Sequence, residues 1–131
     1  VKLLVTGSRH WLSQAMEGKT KILSELMLIR EKHSLVTLIH GGAPGADSFA
    51  AHIALRWKWG VRPYPANWAQ YQKKAGPIRN RLMLLEEHKP DMQDPIDLCL
   101  AFPLPGGKGT QDMMGLCVEA RIPVKEVLWW P

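Results

Sequence analysis

Short apolar runs and helix-patterned stretches alternate along the whole chain, and this alternation restricts the possible fold more than any other feature. Lys2 to Thr6 is an apolar run that ends in Gly7, Ser8 and Arg9, as a buried strand entering a turn would. From Leu12 to Lys32 apolar residues recur at helical spacing (Leu12, Met16, Ile22, Leu23, Leu26, Ile29), with Gly18 as an interruption. Leu35 to His40 reads as a second strand, stopped by a glycine-rich turn, and a helix is expected from Asp47 to Trp59 with Gly60 as its left-handed cap. Val61 to Tyr64 carries Pro63 and is therefore expected at a sheet edge. A helix from Pro77 to Glu87, a surface loop from Lys89 to Asp97, a strand from Leu98 to Phe102, a helix from Gln111 to Ala120 and a last strand from Val124 to Leu128 complete the pattern. Strand and helix in strict alternation imply a doubly wound parallel sheet of about five strands with helices on both faces, an α/β fold.

The length of 131 residues suits one domain, spanning 1–131. With 46% apolar and 22% charged residues the composition is that of a folded soluble protein. Such a chain buries enough surface to need no structural disulfide or metal. Cys99 and Cys117 each sit in an apolar run and read as buried thiols in a reducing compartment. No apolar stretch reaches the length of a bilayer span, and no signal-peptide pattern opens the chain, so a cytoplasmic location without membrane contact is expected. The chain opens at Val1 inside a strand pattern without an initiator Met, so residues are expected to be missing or removed ahead of it. The net charge of +5 favours anionic partners. Lys73, Lys74, Arg79 and Arg81 form the densest basic group, which suits either a solvated helix face or single-stranded nucleic acid.

Three strands end in glycine-bearing turns that open helices. Glycine permits close approach of a ligand to the backbone, and the free N–H groups at the start of the following helix attract an anion. In a parallel sheet the three turns share one rim and converge on one ligand. The candidate ligand-binding residues are therefore Gly7, Ser8 and Arg9; Gly41, Gly42, Ala43, Gly45 and Asp47; and Gly106, Gly107, Lys108, Gly109 and Thr110. Trp11 and Trp68 fall in rim loops, where each either stacks on a base or wedges its loop against the sheet. Gly18-Lys19-Thr20 has the tail of a P-loop but lacks its first glycine, Ser13 standing there, and no dinucleotide fingerprint follows the first strand. No cofactor is expected. His10, His33, His40, His52 and His88 lack ligand spacing with one another or with the cysteines, and no metal is expected.

Taken in order, Val5 to Arg9 with Trp11, Ile39 to Ala43 with Gly45 to Asp47, Arg79-Asn80, Ala101-Phe102, and Gly106 to Thr110 with Asp112-Met113 resemble the SLOG superfamily. The resemblance is strongest to its small stand-alone YspA-type members, found in bacteria and their phages. It implies a Rossmann-like sheet with central strand order 3-2-1-4-5 and a nucleotide or nucleotide-derived ligand beside the first strand. Gly106, Gly107, Gly109 and Thr110 would then hold a phosphate, facing Gly7, Ser8 and Arg9, with Gly42, Asp47, Arg79 and Asn80 contributing from neighbouring loops.

Related branches include the Lonely Guy phosphoribohydrolases and the DNA-processing proteins that bind single-stranded DNA. The phosphoribohydrolase signature aligns from Pro105, but its terminal catalytic Glu falls on Met113, and a thioether cannot move a proton. Whether the chain is an enzyme is therefore left open. The leading reading is binding of a nucleotide-derived phosphorylated ligand, for sensing or sequestration. An N-glycosidic hydrolase or transferase using Asp47 or Asp112 is the alternative, although Asp47 also reads as a cap of its helix. Single-stranded DNA binding through the Lys73 to Arg81 segment is a further one. Trp129, Trp130 and Pro131 end the chain in apolar bulk, read as packing on the last strand in preference to a homo-oligomer interface.

Overall fold

The computed structural model describes residues 1–14 and 16–129. Five strands, β1 (Lys2–Gly7), β2 (Thr37–His40), β3 (Gly60–Pro63), β4 (Leu98–Phe102) and β5 (Val124–Glu126), form one sheet in the order β3-β2-β1-β4-β5, with every pairing parallel. The helices are α1 (Met16–Lys32), α2 (Ala46–Arg56), α3 (Trp68–Tyr71), α4 (Ala75–Glu87) and α5 (Lys108–Glu119). This is the Rossmann-like order expected from the sequence, with the proline-bearing β3 at an edge.

The side-chain alternation of the strands divides the interior into two cores. Leu3 and Val5 of β1, Leu38 of β2, and Leu100 and Phe102 of β4 face Ile22 and Leu26 of α1 and Ala46, Ala50 and Ile53 of α2. Leu4, Ile39 and Cys99 point the other way, onto Met83 of α4 and Met113 and Cys117 of α5. Both cysteines are buried and free. The chain therefore changes faces between β1 and β4, and a ligand crevice opens beyond the strand ends at such a switch point.

Several local expectations change. Trp11 does not reach the ligand rim. It opens a 3-10 turn (Trp11–Gln14), lies fully buried, and packs edge-to-face on Phe102 and Trp129 at centroid distances of 5.3 and 5.5 Å. Its Nε1 donates to the Gly18 carbonyl at 2.9 Å, and a Cβ on Gly18 would meet the Trp11 carbonyl oxygen at 2.8 Å. The glycine that interrupts the α1 pattern is thus where the indole crosses the helix. Trp130 and Pro131 lie outside the described residues.

Gly60 does not cap α2; it opens β3. The left-handed residue is Lys58 (φ 62°), with Lys58 N–H bonded to Leu55 O and Trp59 N–H to Ala54 O. α5 ends in the same way around Arg121 (φ 61°), whose N–H bonds Val118 O while that of Ile122 bonds Cys117 O. These bond pairs satisfy the last helical carbonyls, and a cation beside the negative helix end compensates for the strain of a non-glycine residue.

The Lys89 to Asp97 loop contains a 3-10 turn (Pro90–Met92) and ties down the start of β1, since Asp97 accepts from Lys2 N–H and Asp94 pairs with Lys2 Nζ. Among the described residues no helix is long and apolar enough to cross a membrane.

Candidate functional site

A cleft of about 630 Å³ opens at the rim where β1 and β4 end. Thr6, Gly7, Ser8, Arg9 and His10 form one wall, and Gly106, Gly107, Lys108, Gly109, Thr110 and Asp112 the opposite one. Ala43 and Asp47 close it from the β2 side, and Trp68, Lys73, Gly76, Pro77 and Arg79 from the long connection between β3 and β4.

Helix α5 starts at Lys108, three residues earlier than its apolar spacing suggested, so Lys108, Gly109 and Thr110 are its first turn. Their N–H groups have no intrahelical acceptor, no side chain caps the helix, and no acidic residue occupies that turn. Arg9 and Lys108 make no ion pair among the described residues and border the same space. A Cβ on Gly109 would meet nothing within 4 Å. The protein's own packing thus gives no reason for a glycine there, and its absent side chain leaves the cleft wall open.

The turn after β2 is held by Asp47. This carboxylate does not cap α2, as the sequence suggested; its Oδ2 accepts the Gly41 N–H at 2.9 Å, and Gly45 occupies the cap position without a side-chain bond. Asp47 is only 4% exposed. Burial pushes its carboxyl up to about 6, against the opposing pull of backbone N–H groups, Gly41 foremost, and the Arg79 guanidinium. His40 beside it is held below the ordinary imidazole range by burial and then by Arg79, and its Nδ1 accepts the Gly42 N–H at 2.9 Å.

Arg79 joins the turns together. Its Nη1 donates to the Gly41 carbonyl and, at 3.3 Å, to the Tyr64 carbonyl, while its Nε donates to Asn80 Oδ1 at 2.9 Å. Asn80 in turn donates from Nδ2 to Asp112 Oδ2 at 3.0 Å and to the Gly109 carbonyl at 3.3 Å.

Four of the residues expected to bind ligand therefore stand behind the cleft wall. Gly41 and Asn80 border a small cavity beneath Asp47, Gly42 packs on Pro65, and Gly45 lies against the carbonyls of Ser8 and Arg9. The remaining eleven line the cleft. Met113, at the phosphoribohydrolase Glu position, is 1% exposed and points into the second core. Asp112 does reach the cleft, but its carboxylate is bonded to Asn80.

Thr6, His10, Gly76 and Pro77 were not singled out as ligand contacts. Thr6 and His10 adjoin motif residues, which is a usable signal; Gly76 and Pro77 arrive from a connection whose path over the rim is set by tertiary packing. Trp68, 51% exposed, keeps an aromatic face at the cleft, unlike Trp11. Among the described residues no three His, Cys, Asp or Glu side chains converge as a metal centre would require.

The Asp47 environment gives a stability signature. Its pKa of about 6 in the fold stands above the ordinary 3.8, so the native chain keeps a proton that the unfolded chain releases first. Asp47 therefore supports the fold most at low pH and progressively less as pH rises to about 6. In urea unfolding, wild-type stability relative to Asp47→Asn should fall by about 2 kcal/mol between about pH 4 and pH 7. Parallel pH profiles for the two proteins would contradict the assignment.

A doubly wound parallel sheet with a glycine-walled cleft at its switch point defines a protein of the Rossmann-like class. Comparison with known proteins refines this. The YspA, cpYpsA-related SLOG family pattern matches residues 1–71. The chain is also 37% identical over 134 residues to the Gene 61 protein of Mycobacterium phage D29, covering 94% of this chain and 93% of that protein. The chain belongs to the YspA, cpYpsA-related SLOG family.

Proposed function

We propose that the cleft binds a nucleotide or nucleotide-derived phosphorylated ligand, for sensing or sequestration. SLOG membership points to nucleotide-related binding or processing in general terms. The observation that carries the finer reading is the uncapped first turn of α5, which borders the same cleft as Arg9 and where a Cβ on Gly109 would meet nothing within 4 Å. Backbone N–H groups, a helix dipole and a guanidinium bordering one cleft suit a phosphate. Trp68 offers an aromatic face within the same cleft for a base.

A thermal-shift screen of nucleoside monophosphates against the matching nucleosides tests this, since a ligand that binds the native state raises its melting temperature. A shift that depends on the phosphate is expected, with affinity lowered about tenfold or more in Arg9→Ala. Gly109→Ala should bind about tenfold more weakly while melting no lower than wild type, because the new methyl enters empty space within a helix. Shifts indifferent to the phosphate would overturn the reading.

A second reading, hydrolysis of an N-glycosidic bond, is favoured by one observation: the Asp47 carboxyl titrates near neutrality where it borders the cleft. Chromatography of each mixture distinguishes the two, because only the hydrolase releases free base and only its activity disappears in Asp47→Asn.

A further inference from the structure

Asn80 is 3% exposed, and both ends of its amide are committed: Oδ1 accepts from Arg79 Nε, and Nδ2 donates to Asp112 Oδ2 at 3.0 Å and to the Gly109 carbonyl at 3.3 Å. One buried side chain thus fixes the direction of the Asp112 carboxylate. The ion pair that Asp112 makes, with Arg81 Nη1 at 3.8 Å, falls on the same Oδ2. Oδ1 has neither a hydrogen bond nor an ion pair among the described residues. The carboxylate is also within reach of a ligand. Its side chain is 28% exposed and lines the cleft, and the oxygen turned towards buried Asn80 is Oδ2.

The position of Asp112 narrows the kind of group it can meet. Asn80 Nδ2 touches both Asp112 and the Gly109 carbonyl, so the carboxylate stands within two hydrogen bonds of the α5 turn read above as the phosphate site. A carboxylate so near a phosphate opposes it, and a ligand offsets that repulsion by presenting a donor, since an ionised carboxylate only accepts. The aromatic face lies further on. The edge of the Trp68 ring passes 3.5 Å from where a Cβ on Gly76 would stand, and Gly76 precedes Asn80 by about one turn of α4, roughly 5.4 Å. From the α5 turn, past Asp112 and Asn80, to the Trp68 ring, the cleft thus offers places for a phosphate, a sugar and a base in that order. The donors of a sugar are its hydroxyls.

Building on the phosphate-binding reading above, we propose that Asp112 Oδ1 accepts a hydrogen bond from a ribose hydroxyl of the ligand, making the cleft selective for ribonucleotides over their deoxy counterparts. Asp112 is then a specificity residue of the site, held on its target by Asn80.

The test is calorimetric titration of the full chain with AMP, GMP, CMP and UMP, with the 2′-deoxy and 3′-deoxy form of each, with the forms carrying fluorine in place of either hydroxyl, and with the nucleosides. Wild type should bind one deoxy form about tenfold to a hundredfold more weakly than the ribonucleotide. Fluorine at that position accepts without donating, so the fluoro form should bind no better than the deoxy form, a reading that needs no variant to fold. In Asp112→Asn the amide oxygen stays on the Asn80 donor, and the amide nitrogen that replaces Oδ1 cannot accept. The ratio of ribo to deoxy affinity should then fall towards one. The deoxy form itself should bind at least as tightly as to wild type, because a negative charge has left the surroundings of the phosphate. Loss of a purely structural contact would weaken both forms alike.

Phosphate-dependent binding with equal affinity for ribo and deoxy forms would overturn the role of Asp112 and leave the phosphate reading intact. A ribo preference that survives Asp112→Asn would assign the hydroxyl to another group and overturn it as well. So would an equal loss for both forms in that variant, which would reduce Asp112 to a prop of the α5 turn. Failure of every nucleotide to bind would remove both proposals.

Discussion

Gly45→Ala is expected to destabilise the fold by more than about 3 kcal/mol, read as a lowered urea midpoint with an unchanged slope. Two independent effects combine. The backbone at Gly45 has φ 89° and ψ −126°, a conformation that residues with a Cβ rarely adopt. A Cβ built there would also stand 2.6 Å from the Ser8 carbonyl oxygen and 2.7 Å from that of Arg9. Those contacts are backbone, so no side chain can swing aside to relieve them; either the turn after β1 or the start of α2 must move. Both carry cleft residues, so the substitution should impair ligand binding along with stability. A loss below about 1 kcal/mol would show that the two turns are not held as closely as the structure places them.

Glu87→Ala is expected to cost about 3 kcal/mol, for an electrostatic reason. Glu87 closes α4, is 2% exposed, and accepts from Arg62 Nη1 and Tyr64 OH, each at 2.6 Å, with Lys2 Nζ at 3.3 Å. Removing the carboxylate leaves Arg62 Nη1 and Tyr64 OH facing a partner that has gone, while Lys2 Nζ keeps Asp94 and the carbonyl of residue 87. Burial on its own would raise the Glu87 carboxyl, but the bonds from Tyr64, Arg62 and Lys2 together outweigh it and hold it below its usual 4.5. The sign is opposite to that of Asp47: this contribution is complete above about pH 4.5 and disappears as pH falls through the depressed value. Glu87→Gln should therefore be destabilised at neutral pH and show a shallower further loss on acidification than wild type. Equal acid sensitivity in the two proteins would remove the carboxylate from the account.

The centre of the sheet was legible because β1 and β4 are buried on both faces. Leu3 to Val5 and Leu98 to Phe102 read as continuous apolar runs, and the prolines and glycines after them mark where the chain turns. The glycine turns of the site were legible for the same reason, since backbone geometry leaves a trace in composition. Side-chain direction does not. Trp11 and Trp68 both fall in rim loops, yet one turns inward onto Phe102 and the other stays at the cleft, and only the packing around them decides which. Lys58 was hidden by propensity, because paired backbone bonds hold a lysine where glycine is the ordinary choice. The unpartnered oxygen of Asp47 has no signature in sequence, since it is defined by which neighbours are already occupied.

The Arg79–Asn80 bracket bears on the thermodynamics of occupancy. It fastens the segments after β2, β3 and β4 to one another through the carbonyls of Gly41, Tyr64 and Gly109 before anything enters. The configurational entropy of shaping these walls has thus been surrendered during folding, and an incoming molecule forfeits mainly its own freedom of motion. The cleft accordingly resembles a mould more than a grip, and its discrimination rests on the fit of the guest.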